Sequence, residues 1–96
     1  MKKIYISGKI TGLDYEVAVK SFQDAEDKLN NEGYTTVNPM KLNHEHDKSW
    51  ESYMREDLIA LLDCTHIYMM KNWDDSRGAI IEHNLAKQLN IVSIYE

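Results

Sequence analysis

The chain has one cysteine, Cys64, one proline, Pro39, and four glycines in 96 residues. A lone thiol excludes an internal disulfide, and without a CxxC pair a structural zinc site has little to build on. Cys64 is expected to be a small core residue. With no low-complexity tract and no internal repeat, the composition is that of an ordinary folded domain, expected to span residues 1–96 as one unit. No apolar run approaches the ~18 residues of a membrane span, and the apolar stretch after MKK is too short for a signal peptide. A cytoplasmic protein with no membrane partner is the expectation. Basic charge is also scarce: 11 Lys and Arg against 16 Asp and Glu leave a net charge of −5. Nucleic-acid polymers are bound largely by neutralising phosphates, so this balance argues against that partner. A small anionic ligand needs only a few local donors and stays open.

Four short apolar runs alternate with helical patterns. KKIYISG reads as a strand ending in a glycine turn, YTTVNP as a second strand closed at Asn38-Pro39, THIYMM as a third and IVSIYE as a fourth. Between the first two, Ala18, Phe22, Ala25 and Leu29 recur at helical spacing, with Asp14 as N-cap and Gly33 as C-cap. A second helix is expected from about Ser49 to Asp63, with Trp50, Met54, Leu58 and Leu61 on one face. A third is expected within SRGAIIEHNLAKQL, residues 76 to 89; MKLNHEHDKS and KNWDDSRG read as loops. The order βαβαβαβ implies parallel pairing with crossover helices. The expected architecture is a three-layer, flavodoxin- or Rossmann-like α/β fold with strand order 2-1-3-4. In such sheets ligands bind beyond the carboxyl ends of the strands, where the order reverses, here between strands 1 and 3.

Two helices turn an acid toward their apolar side. At about 100° per residue, Ala79, Leu85, Ala86 and Leu89 surround Glu82 on one stripe, and Asp57 lies in the arc of Met54 and Leu61. An unpaired buried carboxylate costs several kcal/mol, so each acid must be paired, be neutral or serve a ligand. A structural anchor, bonded to a backbone amide or to Tyr5 or Lys9, is one reading; perturbed acids serving acid/base or nucleophilic chemistry are the other.

The strand-end loops supply the rest. In SGKITG, glycines flank Lys9 and the hydroxyls of Ser7 and Thr11, a composition suited to cradling a phosphate. Ser76 and Gly78 open the last helix, where free N–H groups favour an anion; plain N-capping by Ser76 or Asp75 is equally compatible. Trp73 is a candidate base contact, and Trp50 fits stacking or core equally well. His44 and His46 in HEHD form an HxH with no third ligand in view, so no metal is expected. His66 and His83 have no partner at catalytic spacing. GxSxG, Walker A and GxGxxG are all lacking.

Together IYISGKITG, YMREDLIALLDC, IYMMKNWDDSRGAIIEHNLAKQLN and the terminal IYE resemble the nucleoside 2-deoxyribosyltransferase-like superfamily, and within it a family of small uncharacterised proteins of bacteria and phages. The resemblance covers nearly the whole chain. It implies base exchange between deoxynucleosides, or hydrolysis of the N-glycosidic bond of deoxynucleoside 5′-monophosphates. It also implies that Glu82 is the nucleophile, with Asp57 as the second acid and Tyr5 beside the nucleophile. Ser7 and Gly8 would be the turn residues that reach phosphate or sugar. Ser76 stands where the transferases carry aspartate and the monophosphate hydrolases carry serine, which favours a phosphorylated substrate held by Ser7, Gly8, Lys9, Ser76 and Gly78. The transferases' C-terminal asparagine has no match. The expectation is a nucleotide N-glycosidase or deoxyribosyltransferase, without metal or redox cofactor and at least dimeric, since members of the superfamily complete their sites across subunits. The alternative is a non-catalytic protein that senses or sequesters a nucleotide.

Overall fold

The computed structural model describes residues 2–42 and 49–96. Its organising element is β1 (Lys3–Ser7), whose pleat sends Ile4 and Ile6 to one side and Tyr5 and Ser7 to the other. β1 pairs in parallel with β2 (Thr35–Val37) and with β3 (His66–Met69), and β3 pairs in parallel with β4 (Val92–Tyr95). The sheet order is β2-β1-β3-β4, as the alternation of strands and helices implies.

Helix α1 (Tyr15–Asn31) covers the Ile4/Ile6 face with Phe22, Ala25 and Leu29, which cluster with Tyr68 and Met70. Burying a phenylalanine or leucine of this kind is worth about 1.5–3 kcal/mol, so the spacing of these residues fixes which side of α1 faces inward. The Asp14 side chain caps the helix by accepting from the Glu16 N–H at 3.0 Å. At the other end the C-cap is Glu32, one position before the expected Gly33, which follows it at φ +94. Tyr34 N–H then reaches the Leu29 carbonyl and Gly33 N–H that of Asn30, both at 3.1 Å, closing a Schellman motif.

Helices α2 (Trp50–Leu62) and α3 (Arg77–Gln88) cover the opposite face, so the chain has three layers. Their shared core holds Tyr5, Leu61, Cys64, Ile67, Met69, Ala79 and Ala86. The inward face of α2 is Met54, Asp57 and Leu61; Trp50 and Leu58, expected on it, are half-buried at its margins. Leu89 leaves the apolar stripe of α3 and is 52% exposed. The helix stops at Gln88, and Asn90 at φ +58 swings the chain away, with Ile91 N–H bonding the Ala86 carbonyl at 2.9 Å. Two segments read as loop contain short 3₁₀ turns, Pro39–Lys41 and Trp73–Asp75. No helix among the described residues is long and apolar enough to cross a membrane.

The chain leaves β1 toward α1 on one face, and leaves β3 toward α3 on the other. A cleft of about 920 Å³ opens at this divergence and is lined from the β1–α1 loop, α2 and the start of α3.

Candidate functional site

The cleft reaches inward to Glu82, which is 5% exposed. Its position on the sheet-facing side of α3 brings it against the Tyr5/Ser7 face of β1. The Tyr5 hydroxyl donates to Oε2 at 2.8 Å and the Ser7 hydroxyl to Oε1 at 2.7 Å. Each carboxylate oxygen therefore has one donor, and the plane of the group is fixed by two residues of a single strand. Asp57, also buried, lines the same cleft from α2.

These surroundings oppose one another electrostatically. Burial pushes the Glu82 carboxyl up to about 8; the Ser7 hydroxyl opposes that rise, the Asp57 charge adds to it and the Tyr5 hydroxyl opposes it. Burial, followed by the charges of Glu82 and Asp57, drives the Tyr5 phenol well above its ordinary range, so Tyr5 remains a donor at neutral pH. Burial raises the Cys64 thiol to about 11, which leaves it an inert core residue, as its isolation in the sequence suggested.

The strand-end loops are locked close together. A Cβ on Gly8 would lie 2.6 Å from Met70 Sδ and 3.0 Å from Met70 Cβ, so any other residue there requires the Met70 side chain to shift. Lys9 N–H donates to Asn72 Oδ1 at 3.0 Å, tying that turn to the loop after β3, and the Lys9 ammonium pairs with Asp75. Gly78 gives α2 room to approach α3, since a Cβ there would meet Met54 Sδ at 3.0 Å. The Ser76 hydroxyl caps α3 by accepting from Ala79 N–H at 3.2 Å.

The structure thus gathers Tyr5, Gly8, Lys9, Asp57, Ser76, Gly78 and Glu82 around one cleft. Ser7 is 1% exposed and turned to Glu82, so its hydroxyl serves the carboxylate instead of the phosphate expected for it. Trp73 is absent from the lining. It packs on His83 with ring centroids 4.4 Å apart, and His83 Nε2 lies 2.6 Å from the Tyr95 hydroxyl, a partner that the sequence did not suggest. The tryptophan in the cleft is Trp50, with the Arg77 guanidinium carbon 4.1 Å from its ring centroid. Arg77 carries no motif of its own in the sequence, although it stands inside the SRG segment between Ser76 and Gly78. Its only sequence signal was that position, at the head of a helix pointing into the strand-end crevice. His44 and His46 lie outside the described residues.

A search of curated proteins finds no match. Among solved structures, the fold is similar to that of a 2-deoxyribosyltransferase from the psychrotolerant bacterium Bacillus psychrosaccharolyticus, with a TM-score of 0.72 over 97% of this chain and 70% of that one. The two are 21% identical, so the likeness is one of fold, and it agrees with the superfamily resemblance carried by the motifs. The family described as Domain of unknown function (DUF4406) matches residues 2–95, and the chain belongs to that family.

Proposed function

We propose that this protein cleaves the N-glycosidic bond of a nucleoside 5′-monophosphate, a 2′-deoxy one by preference, with Glu82 as nucleophile. The observation that carries this reading is the Glu82 carboxylate at the inner end of an open cleft, each oxygen held by one buried hydroxyl. A structural anchor would need no cleft in front of it. In the first step a Glu82 oxygen attacks the anomeric carbon, the C–N bond breaks and its electron pair leaves with the base. Asp57, as general acid, gives that nitrogen its proton. In the second step water attacks the same carbon, Asp57 takes its proton, and the ester bond breaks to restore the Glu82 carboxylate. A second base in place of water would give transfer. Gly8, Gly78 and the start of α3 would receive the phosphate, where the first N–H groups of a helix have no partner within it. A homo-oligomer in the cytoplasm completes the proposal.

One observation favours a second reading, a protein that binds a nucleotide without cutting it. Burial raises the Glu82 carboxyl to about 8, and the neutral form of a carboxyl is a poor nucleophile. The test is base release and thermal shift measured together across ribo- and deoxynucleosides and their monophosphates. Base release that Glu82→Ala abolishes while binding persists is the expected result. Stabilisation by a nucleotide with no base released selects the second reading, and indifference to every ligand removes both.

A further inference from the structure

The residues expected to hold an anion are, in this structure, mostly engaged elsewhere. The Ser7 hydroxyl donates to Glu82, the Lys9 ammonium is paired with Asp75, and the Ser76 hydroxyl is occupied as the cap of α3. Yet the cleft holds three acids among its described lining residues, Asp57, Asp75 and Glu82, inside a chain of net charge −5. Asp75 is offset by Lys9 and burial favours the neutral form of Glu82, so what draws a phosphate to this cleft is a cation not already paired with an acid.

Among the described lining residues, Arg77 is that cation. It has no ion-pair partner among the described residues, and it is anchored by an aromatic ring, its guanidinium carbon 4.1 Å from the centroid of Trp50. A guanidinium held against a ring is restrained without using its N–H groups as donors to an acid, so its edge stays available for a bidentate contact. The backbone fixes the approach: Arg77 is the first residue of α3, between the cap Ser76 and Gly78, and Trp50 is the first residue of α2, capped by Ser49. The Met54 side chain of α2 packs on Gly78 of α3, and one residue before it the two helix starts meet through Arg77 and Trp50.

We infer that Arg77, braced on Trp50, is the specificity-determining residue that selects a phosphorylated substrate over its free nucleoside. This rests on the nucleotide reading above and names what distinguishes the substrate class. Lys9, shared with Asp75, contributes less. A charge-assisted hydrogen bond to phosphate is worth about 1.5–3 kcal/mol, or roughly 10- to 150-fold in affinity.

The test uses calorimetric titration of the Glu82→Ala protein, which removes turnover, with a deoxynucleoside 5′-monophosphate and with the matching deoxynucleoside. The readout is the ratio of the two affinities. Adding Arg77→Gln is expected to lower that ratio about 10- to 100-fold, Trp50→Leu to lower it by a smaller factor, and Arg77→Lys to restore part of it. Arg55→Gln, which removes the same charge from the exposed side of α2, is expected to leave the ratio unchanged. A ratio untouched by Arg77→Gln, or lowered equally by Arg55→Gln, overturns the assignment. Failure of both ligands to bind overturns the assignment and the nucleotide reading together. A selective loss with Arg77→Gln in a protein whose wild type releases no base retains the assignment and discards cleavage alone.

Discussion

Replacing Glu82 with glutamine should change how the stability of this protein depends on pH. The carboxyl ordinarily loses its proton near 4.5, and in the fold it does so at about 8. Between those values the folded chain keeps a proton that the unfolded chain has released, so stability falls as pH rises through this window and levels off above it. Each tenfold change in acid strength is ~1.4 kcal/mol, so the full displacement corresponds to ~5 kcal/mol, and relaxation around the charged carboxylate reduces it to roughly half. Glutamine has nearly the same shape and no charge. Its carbonyl accepts from one hydroxyl and its amide donates to the other, so the Tyr5 and Ser7 contacts stay satisfied. Urea unfolding of both proteins at pH 5, 7 and 9 isolates the effect, because the other titrating groups are common to the two. The expected difference is near zero at pH 5 and ~2–5 kcal/mol in favour of Glu82→Gln at pH 9. A difference that stays constant with pH would refute the claim that burial holds this acid in its neutral form.

Two further outcomes follow from the same contacts. Ser7→Ala removes the 2.7 Å donor to Glu82 and should raise the acid further, moving the acidic limb of the base-release profile to higher pH; an unshifted limb with lower activity would assign Ser7 a merely structural part. Gly8→Ala drives a Cβ to 2.6 Å from Met70 Sδ and should destabilise the fold by about 1–3 kcal/mol in thermal or urea unfolding, and a neutral result would mean that the Met70 side chain yields without cost.

The buried position of Glu82 was legible because it rests on local periodicity, and the sheet order because alternating strands and helices call for parallel crossovers. A period of two in KKIYISG and one near 3.6 around residues 79 to 86 are carried by the residues themselves. The same period of two already placed Tyr5 and Ser7 on one face, so the redirection of Ser7 from phosphate to Glu82 was within reach of the pattern. Leu89 fell out of its stripe because Asn90 adopts the left-handed conformation that ends the helix, and asparagine signals this less strongly than glycine does at Gly33. What could not be read was contact between distant elements. Trp73 meets His83 and Tyr95 only after β3, α3 and β4 assemble, and Arg77 meets Trp50 only where α2 and α3 approach. Both tryptophans offered the same ring to a sequence reader, and packing decided which of them faces the cleft.

Glu82 as nucleophile is tested by the mass of the protein after incubation with a 2′-fluoro-arabinosyl nucleoside 5′-monophosphate. The fluorine withdraws electrons from an oxocarbenium-like transition state, slowing formation and breakdown of a glycosyl ester so that the ester accumulates. The expected result is one added fluorosugar phosphate, mapped to the peptide carrying Glu82 and absent from Glu82→Ala. Base release without an adduct, or an adduct on another residue, would contradict it.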